Sequence, residues 1–400
     1  MPPRWILTVS CAATLFGQEY LPPIPVDHPA IQYFQNAPDD RVARLSKRIE
    51  SGEVKLDSRP DPLGYLPSLL EHLGIPVDSQ ALVFSKTSFQ STKISPANPR
   101  AIYFTDDVAV AYVRGGDGLE VAATDAKLGT ILYSFNGKFT RRDVCLKCHQ
   151  GPATFGVPGV FVGSVFPGPT GSPAKEGAII TDHRTAFEDR WGGWYVNAKR
   201  GEQRDRANAI ASNPSDPDVL DADRAQNLTN LIGRFSPAGY LSGVSDIVAL
   251  MTFEHQTQMI NYMTRLGWEV RILDPRLDTD IEAMVAYMTF ADEATLKEPI
   301  EGVSTFTKTF PQRGPLDTKG RSLRDFDLQK RLFRYPLSYM IYSAQFDALP
   351  DNLRDKIYRR LLEALGRKPE SDRQAILEIL RDTKPSLPES WRGAKKLSLR

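Results

Sequence analysis

The chain has 400 residues, 41% of them hydrophobic, with 50 basic residues against 49 acidic. That balance offers neither a basic surface for nucleic acid nor a cationic patch for an anionic membrane, so neither is expected as a partner. The apolar content can bury two or three cores, and 30 prolines with 28 glycines call for many turns and long ordered loops. At the N-terminus, Met1-Pro2-Pro3-Arg4 is a short cationic start and Trp5 to Phe16 an apolar run. That run is too short to span a bilayer and the right length for a secretory leader, expected over residues 1–17. Lipidation at Cys11 is the alternative. No later segment is apolar for long enough to be a membrane helix, so no integral membrane segment is expected after leader removal and the destination is periplasmic or secreted.

Residues 19–38 are proline-rich and read as an extended arm. Two short helices follow, one from Asp40 to Glu50 and one from Asp61-Pro62 to Gly74, each with an acidic cap and a terminating glycine. From Ala81 to Tyr133 the hydrophobic period changes to two. The runs Leu82-Val83-Phe84, Ala101 to Phe104, Val108 to Val113, Leu119 to Val121 and Thr130 to Tyr133 are separated by turn residues such as Gly115-Gly116-Asp117-Gly118 and Asn136-Gly137. This pattern predicts an antiparallel β-meander. The Gly/Pro-rich stretch from Gly151 to Pro173 is too apolar for disorder and reads either as a functional loop or as a surface loop packed on the meander. Lys199 to Asp218 is polar and expected to be mobile. Helices are expected over 245–266, 278–291, 325–343, 351–365 and 371–381, with a disordered tail from Arg392 to Arg400. The fold class is therefore α+β: an N-terminal antiparallel β-meander followed by a mainly helical region. The expected division is 1–17, 18–140 and 141–400.

Directly after the meander come Cys145-Leu146-Lys147-Cys148-His149. Two thiols three positions apart sit on one helical turn and can each add to a vinyl group on one edge of a porphyrin, while the next residue offers an imidazole to the iron. In these five residues the chain resembles the c-type cytochromes. The resemblance implies one covalently bound haem c with His149 as proximal iron ligand. A disulfide or redox dithiol and a zinc site are the competing readings. The polar lead-in Phe139 to Asp143 is unlike the buried strand that precedes a thioredoxin-type pair, and zinc would need two further ligands. Covalent haem attachment takes place outside the bacterial cytoplasm, in keeping with a leader. Within the 151–173 loop, backbone carbonyls are placed to accept from His149 Nδ1–H and orient the ring.

For the sixth iron position the candidate is His255, set in the apolar stripe Val248, Met251, Thr252, Met259, Tyr262, Met263 and Leu266 of the helix that Ser245 is expected to cap. A methionine among Met251, Met259, Met263, Met284 and Met288, or His183, or no protein ligand, are the alternatives. His183 reads as exposed and salt-bridged. Arg141 and Arg142 beside the motif, and Arg190 near Trp191 and Trp194, are candidates to hold the haem edge and its propionates, against a tryptophan-stabilised turn in an ordinary core. Asp216, Asp218, Asp221 and Asp223 lack the glycine and terminal glutamate of a calcium loop and read as a solvated helix start. The function that follows is electron transfer by an exported monohaem c-type cytochrome with an unnamed redox partner. A haem enzyme of peroxidase type with an open distal site is the alternative, and a haem-based sensor or binding module a further one.

Overall fold

The computed structural model describes residues 21–211 and 226–392. The expected leader, Cys11, the aspartates from Asp216 to Asp223 and residues 393–400 lie outside the described residues.

Helix α1 (Arg41–Glu50) starts on Asp40, whose carboxylate accepts from Ala43 N at 2.8 Å. Helix α2 (Leu66–His72) begins later than expected, because Asp61 accepts from Leu63 N and Gly64 takes φ +51°, which turns the chain first. The meander follows as β1 (Ala81–Val83), β2 (Arg100–Phe104), β3 (Val108–Val113), β4 (Leu119–Asp125), β5 (Gly129–Phe135) and a further strand, β6 (Phe139–Arg141). The motif forms the single turn α3 (Leu146–His149). A two-stranded hairpin, β7 (Val162–Ser164) and β8 (Ile179–Thr181), precedes β9 (Trp194–Tyr195). Strand β9 joins the meander to give a seven-stranded antiparallel sheet ordered β6-β5-β4-β3-β2-β1-β9. The rest is mainly helical: α4 (Ile247–Ile272), α5 (Leu277–Met288), α6 (Phe306–Thr309), α7 (Ala344–Asp347), α8 (Asp351–Leu365) and α9 (Glu370–Thr383). The fold is α+β, as the sequence pattern indicates.

Alternation along the strands separates two cores. One face of the sheet sends Tyr103, Val110, Val121, Ile131 and Phe135 against the N-terminal arm, α1 and α2. The opposite face sends Ile102 and Phe104 toward α4 and the helices around it. There Phe104 meets Phe253 of α4 at 4.7 Å between ring centroids. Each such fully buried ring contributes about 1.5–3 kcal/mol.

Three expectations are corrected. Asp246, not Ser245, caps α4, accepting from Val248 N and also from Val303 N and Ser304 N, and the helix runs through Gly267 to Ile272 because Trp268 and Glu269 are buried with it. No helix spans 325–343: Leu328 takes φ +56°, Pro336 has no N–H to donate, and Phe326 bridges to Phe333, which folds the segment onto the aromatic core. Of the polar stretch expected to be mobile, the described part is packed, with Arg200 and Asp205 forming a fully buried ion pair at 2.9 Å. Helix α4 itself is not amphipathic: every residue from Ile247 to Leu266 is buried. Among the described residues no helix is long and apolar enough to cross a membrane.

Candidate functional site

The motif hangs from the end of the sheet. Arg142 N donates to Leu132 O at 2.9 Å, a 3-10 turn carries Asp143 to Cys145, and α3 brings Cys148 and His149 round on the next turn. Cys145 is half-buried and Cys148 exposed, with no disulfide between them. Burial, reinforced by the Glu120 charge, pushes the Cys145 thiol up. A redox dithiol needs the opposite shift, so this environment argues against that reading. Among the described residues no further His, Cys, Asp or Glu completes a set able to hold a zinc ion.

His149 Nδ1 lies 2.9 Å from Gly159 O. A carbonyl can only accept, so Nδ1 carries the proton and Nε2 presents a lone pair, with no hydrogen bond to it among the described residues. Burial pushes the imidazole below its ordinary pKa, against the raising effect of the Gly159 carbonyl, which keeps the ring neutral. The loop is closed reciprocally, since Gly159 N donates back to His149 O at 2.9 Å. Glycine at 159 allows this close approach, because a Cβ there would sit 2.1 Å from Asn261 Oδ1 and force that side chain to shift. From α4, Asn261 Nδ2 donates to Val160 O and Arg265 Nη1 to Phe155 O, so a long rigid helix fixes the carbonyl that fixes His149.

The sheet face on the α4 side continues toward the motif. Its registers set Ala109 opposite Ala122, Ala111 opposite Glu120, and Glu120 opposite Ser134. Three alanines leave this part of the face shallow and only half-covered. Within it Arg100 Nη1 meets Glu120 Oε2 at 3.2 Å, while Ser88 Oγ and Gln90 Nε2 donate to Glu120 Oε1. Burial alone would raise the Glu120 carboxyl, but Arg100 and these hydrogen bonds outweigh it and hold the group below the usual carboxylate range. Both charges act on the His149 imidazole, and Glu120 acts on Cys145 as well. Arg100 Nε is buried with no acceptor. Phe89, 77% exposed, stands beside Arg142, with the guanidinium 5.9 Å from its ring centroid.

These features fit a flat apolar group carried on Cys145 and Cys148. There is a free imidazole lone pair, a recess of small side chains, an exposed aromatic ring, and a buried donor lacking an acceptor. Arg100, Glu120 and Phe89 were missed at the sequence level. The available signal was a charged pair at positions that strand alternation turns toward the α4 side.

Other expected site residues lie elsewhere. Arg141 is turned to the N-terminal arm, donating to Tyr33 O at 2.5 Å with its guanidinium over the Tyr33 ring. Arg190 is buried on Thr185 O, His183 O and Glu254. Trp191 is fully buried against Phe187, and Trp194 donates from Nε1 to Gly163 O. The paired glycines explain this. A Cβ at Gly192 would fall 1.9 Å from Val165 O and one at Gly193 2.6 Å from Ser85 Cβ, so they press the turn onto the β7 hairpin and the sheet. The turn is packed into the core.

His255 is fully buried, with Nε2 at 2.7 Å from Ser338 Oγ and Nδ1 at 3.0 Å from His183 Nδ1. Both of its nitrogens are thus engaged, and no hydrogen bond or ring contact joins it to His149. His183 is buried too, a correction to the exposed reading: its neighbour Arg184 carries the ion pair, with Asp182 at 2.6 Å. Burial pushes both imidazoles well below their usual pKa. Met251, Met259, Met263, Met284 and Met288 are all buried in the helical core. A separate cleft of about 980 Å³ shares Phe155 with the motif loop, and none of the five motif residues lines it. Its wall includes the matched pairs Arg184–Asp182 and Arg206–Asp189.

No family model matches the chain, and neither a curated protein nor a solved structure matches it.

Proposed function

We propose that the chain is an exported monohaem c-type cytochrome that transfers electrons through one haem c, held covalently by Cys145 and Cys148 with His149 as proximal ligand. The observation that carries this reading is the state of His149: Nδ1 is tied to the Gly159 carbonyl and Nε2 is left with its lone pair outward. A hydrogen-bonded outer nitrogen fixes the tautomer, aims the ring and strengthens it as a ligand. Bound there, haem supplies a one-electron iron couple. The chain's own part is to hold the porphyrin edge through two thioethers, to orient the imidazole from α4 by way of Asn261 and Gly159, and to cover the flat group with Ala109, Ala111, Ala122 and Phe89. Arg142 is the remaining candidate for a propionate among those read from the sequence. The periplasmic or extracellular location goes with the leader expected over 1–17 and with attachment chemistry that is extracytoplasmic.

The test is extraction of the purified protein with acid–acetone. Haem is expected to stay on the polypeptide, and Cys145→Ala or Cys148→Ala to weaken or abolish that retention. Complete release to the organic phase would refute the reading. Deleting residues 2–17 is expected to leave a chain without covalent haem.

A second reading, a haem enzyme or ligand sensor with an open coordination position, is favoured by one observation. His255 and the five methionines of the helical core are withdrawn into buried packing, and His255 has both nitrogens occupied.

A further inference from the structure

We propose that the corner between α4 and α5 is a pH-sensitive latch at one end of the cleft of about 980 Å³. Glu269, as the neutral acid, donates to Asp280, and loss of that proton parts the two side chains and turns Asp280 into the cleft. The device uses none of the five motif residues.

The corner is built around the buried Arg265. Its Nε donates to Glu269 Oε1 at 2.5 Å and lies 3.9 Å from Asp280 Oδ2, while its Nη2 lies 3.6 Å from Asp274 Oδ2. Arg276 stands 3.6 Å from Asp280 Oδ1. Three carboxyls thus share two guanidinium groups. With all three ionised, the corner would carry a net negative charge out of water, which is costly; with one proton it is neutral. Glu269 Oε2 and Asp280 Oδ2 are both buried, and neither receives a hydrogen bond from another group among the described residues. The two carboxyls nevertheless meet in hydrogen-bonding contact. Two carboxylate oxygens make that contact only if one holds a proton, and a proton on Oε2 gives both atoms a partner at once. Glu269 is the holder, because it is fully buried whereas Asp280 borders the cleft and has Arg276 beside it. Burial, reinforced by the Asp280 contact and opposed by Arg265, pushes the Glu269 carboxyl up to about 8. Of the other groups facing the pair, α4 supplies Tyr262 with Arg184 beside it. Helix α8 meets α5 through Lys356 and Arg360, which are held by Asp278 and Glu282.

The consequence reaches the cleft because Asp280, Tyr262, Phe155 and Leu21 line the same cavity. Arg265 ties that end together, donating from Nη1 to Pro22 O at 2.8 Å and to Phe155 O at 3.2 Å. An ionised Glu269 repels Asp280, and the cleft is the side on which Asp280 can regain water. Asp280 therefore swings there, and that end of the cleft becomes wider and more acidic. Glu269 binds its proton more tightly folded than unfolded. Its stabilising contribution is full below the ordinary carboxyl value of 4.5 and is lost as pH rises toward about 8. The folding equilibrium changes by at most about tenfold per pH unit in that window.

The experiment compares the purified full-length protein with Glu269→Gln, whose amide donates to Asp280 and cannot ionise. Asp280→Asn is the second variant, since with it the corner is neutral when Glu269 is ionised. The infrared difference between wild type and either variant at about pH 7 is expected to show the C=O stretch of one protonated carboxyl. Glu254 and Glu293, both pushed up to about 7 by burial, are common to all samples and cancel. Raising the pH from about 5 to about 7 is expected to shift the folding equilibrium in favour of Glu269→Gln over wild type by at least about tenfold. Amide hydrogen exchange in the first turns of α5 is expected to be alike in the two proteins at about pH 6. At about pH 9 it is expected to be at least about tenfold faster in wild type. A missing carboxyl band, or a ratio of folding constants that stays fixed, would overturn the shared proton. Equal exchange at about pH 9 would overturn the latch. These readouts are independent of haem, so their failure leaves the cytochrome proposal standing, and a haem-free protein leaves them intact.

Discussion

His149 and His255 are set up in opposite ways, and the contrast carries most of the functional argument. His149 sits on a single helical turn at the protein surface, tied by backbone groups, with one nitrogen held and the other open. His255 sits in the middle of a 26-residue helix buried all round, with Ser338 on one nitrogen and His183 on the other. A histidine can serve iron only if it keeps a lone pair unspent and reachable. His149 meets that condition and His255 does not, although His255 lies on the better-formed element.

The contrast breaks most sharply at the motif. His149→Ala removes the imidazole, and with it the ligand field: the reduced protein is expected to lose the sharp visible bands of a histidine-ligated haem, read by absorption spectroscopy. His255→Ala is expected to leave that spectrum unchanged and to destabilise the fold by about 2–4 kcal/mol, through a cavity and an unpaired His183 and Ser338. Denaturant unfolding of the two variants separates these outcomes. A spectral change in His255→Ala would return that residue to the iron.

Gly159→Ala tests the link between the two regions. Its methyl group would press on Asn261 Oδ1 and push the carbonyl off His149. A loss of about 1–3 kcal/mol is expected, with haem still attached and the midpoint potential raised, because a less basic imidazole stabilises ferric iron less.

The buried pair also has a pH signature. Both imidazoles have folded-state values below the unfolded one, so the unfolded chain binds more protons and stability is lost as pH falls below about 6.5. Burial pushes the neighbouring Glu254 carboxyl up to about 7, which acts in the opposite direction. The comparison is therefore wild type against His255→Gln, which share Glu254. The stability difference in favour of wild type is expected to shrink between pH 6.5 and 5, by up to about 1.4 kcal/mol per pH unit, the contribution of His255. A constant difference would show that His255 takes up its proton in the folded state as readily as in the unfolded one. Smallest is Arg141→Ala, expected to cost about 1 kcal/mol through the contact with Tyr33 and to leave the haem spectrum untouched.

The meander was readable because short runs of β-branched and aromatic residues are separated by turn residues such as Gly115 to Gly118, with β4 alternating strictly, and α8 lies where expected, from Asp351 to Leu365. Helix α4 was found but its surroundings were not. A stripe of Val248, Met251, Met259 and Met263 implies one buried face, whereas Glu254, Gln256, Gln258, Asn261 and Arg265 on the other faces are buried too, in polar contacts made with distant segments. Such partners leave no local pattern. The same holds for His183, whose charged neighbours Asp182 and Arg184 made it look exposed while they pair with each other. At the site, the five motif residues and the carbonyl that orients His149 were legible. Arg100 and Glu120 were not, since only the β2-β3-β4 register brings them side by side across the sheet.

The most direct test of the central claim is the absorption spectrum of the purified, denatured protein in alkaline pyridine after acid–acetone extraction. The account expects the haemochrome of a doubly thioether-linked haem to remain with the polypeptide, and to be lost from it in Cys145→Ala/Cys148→Ala. A colourless polypeptide with the haem in the organic phase, or no haem in either, would contradict it.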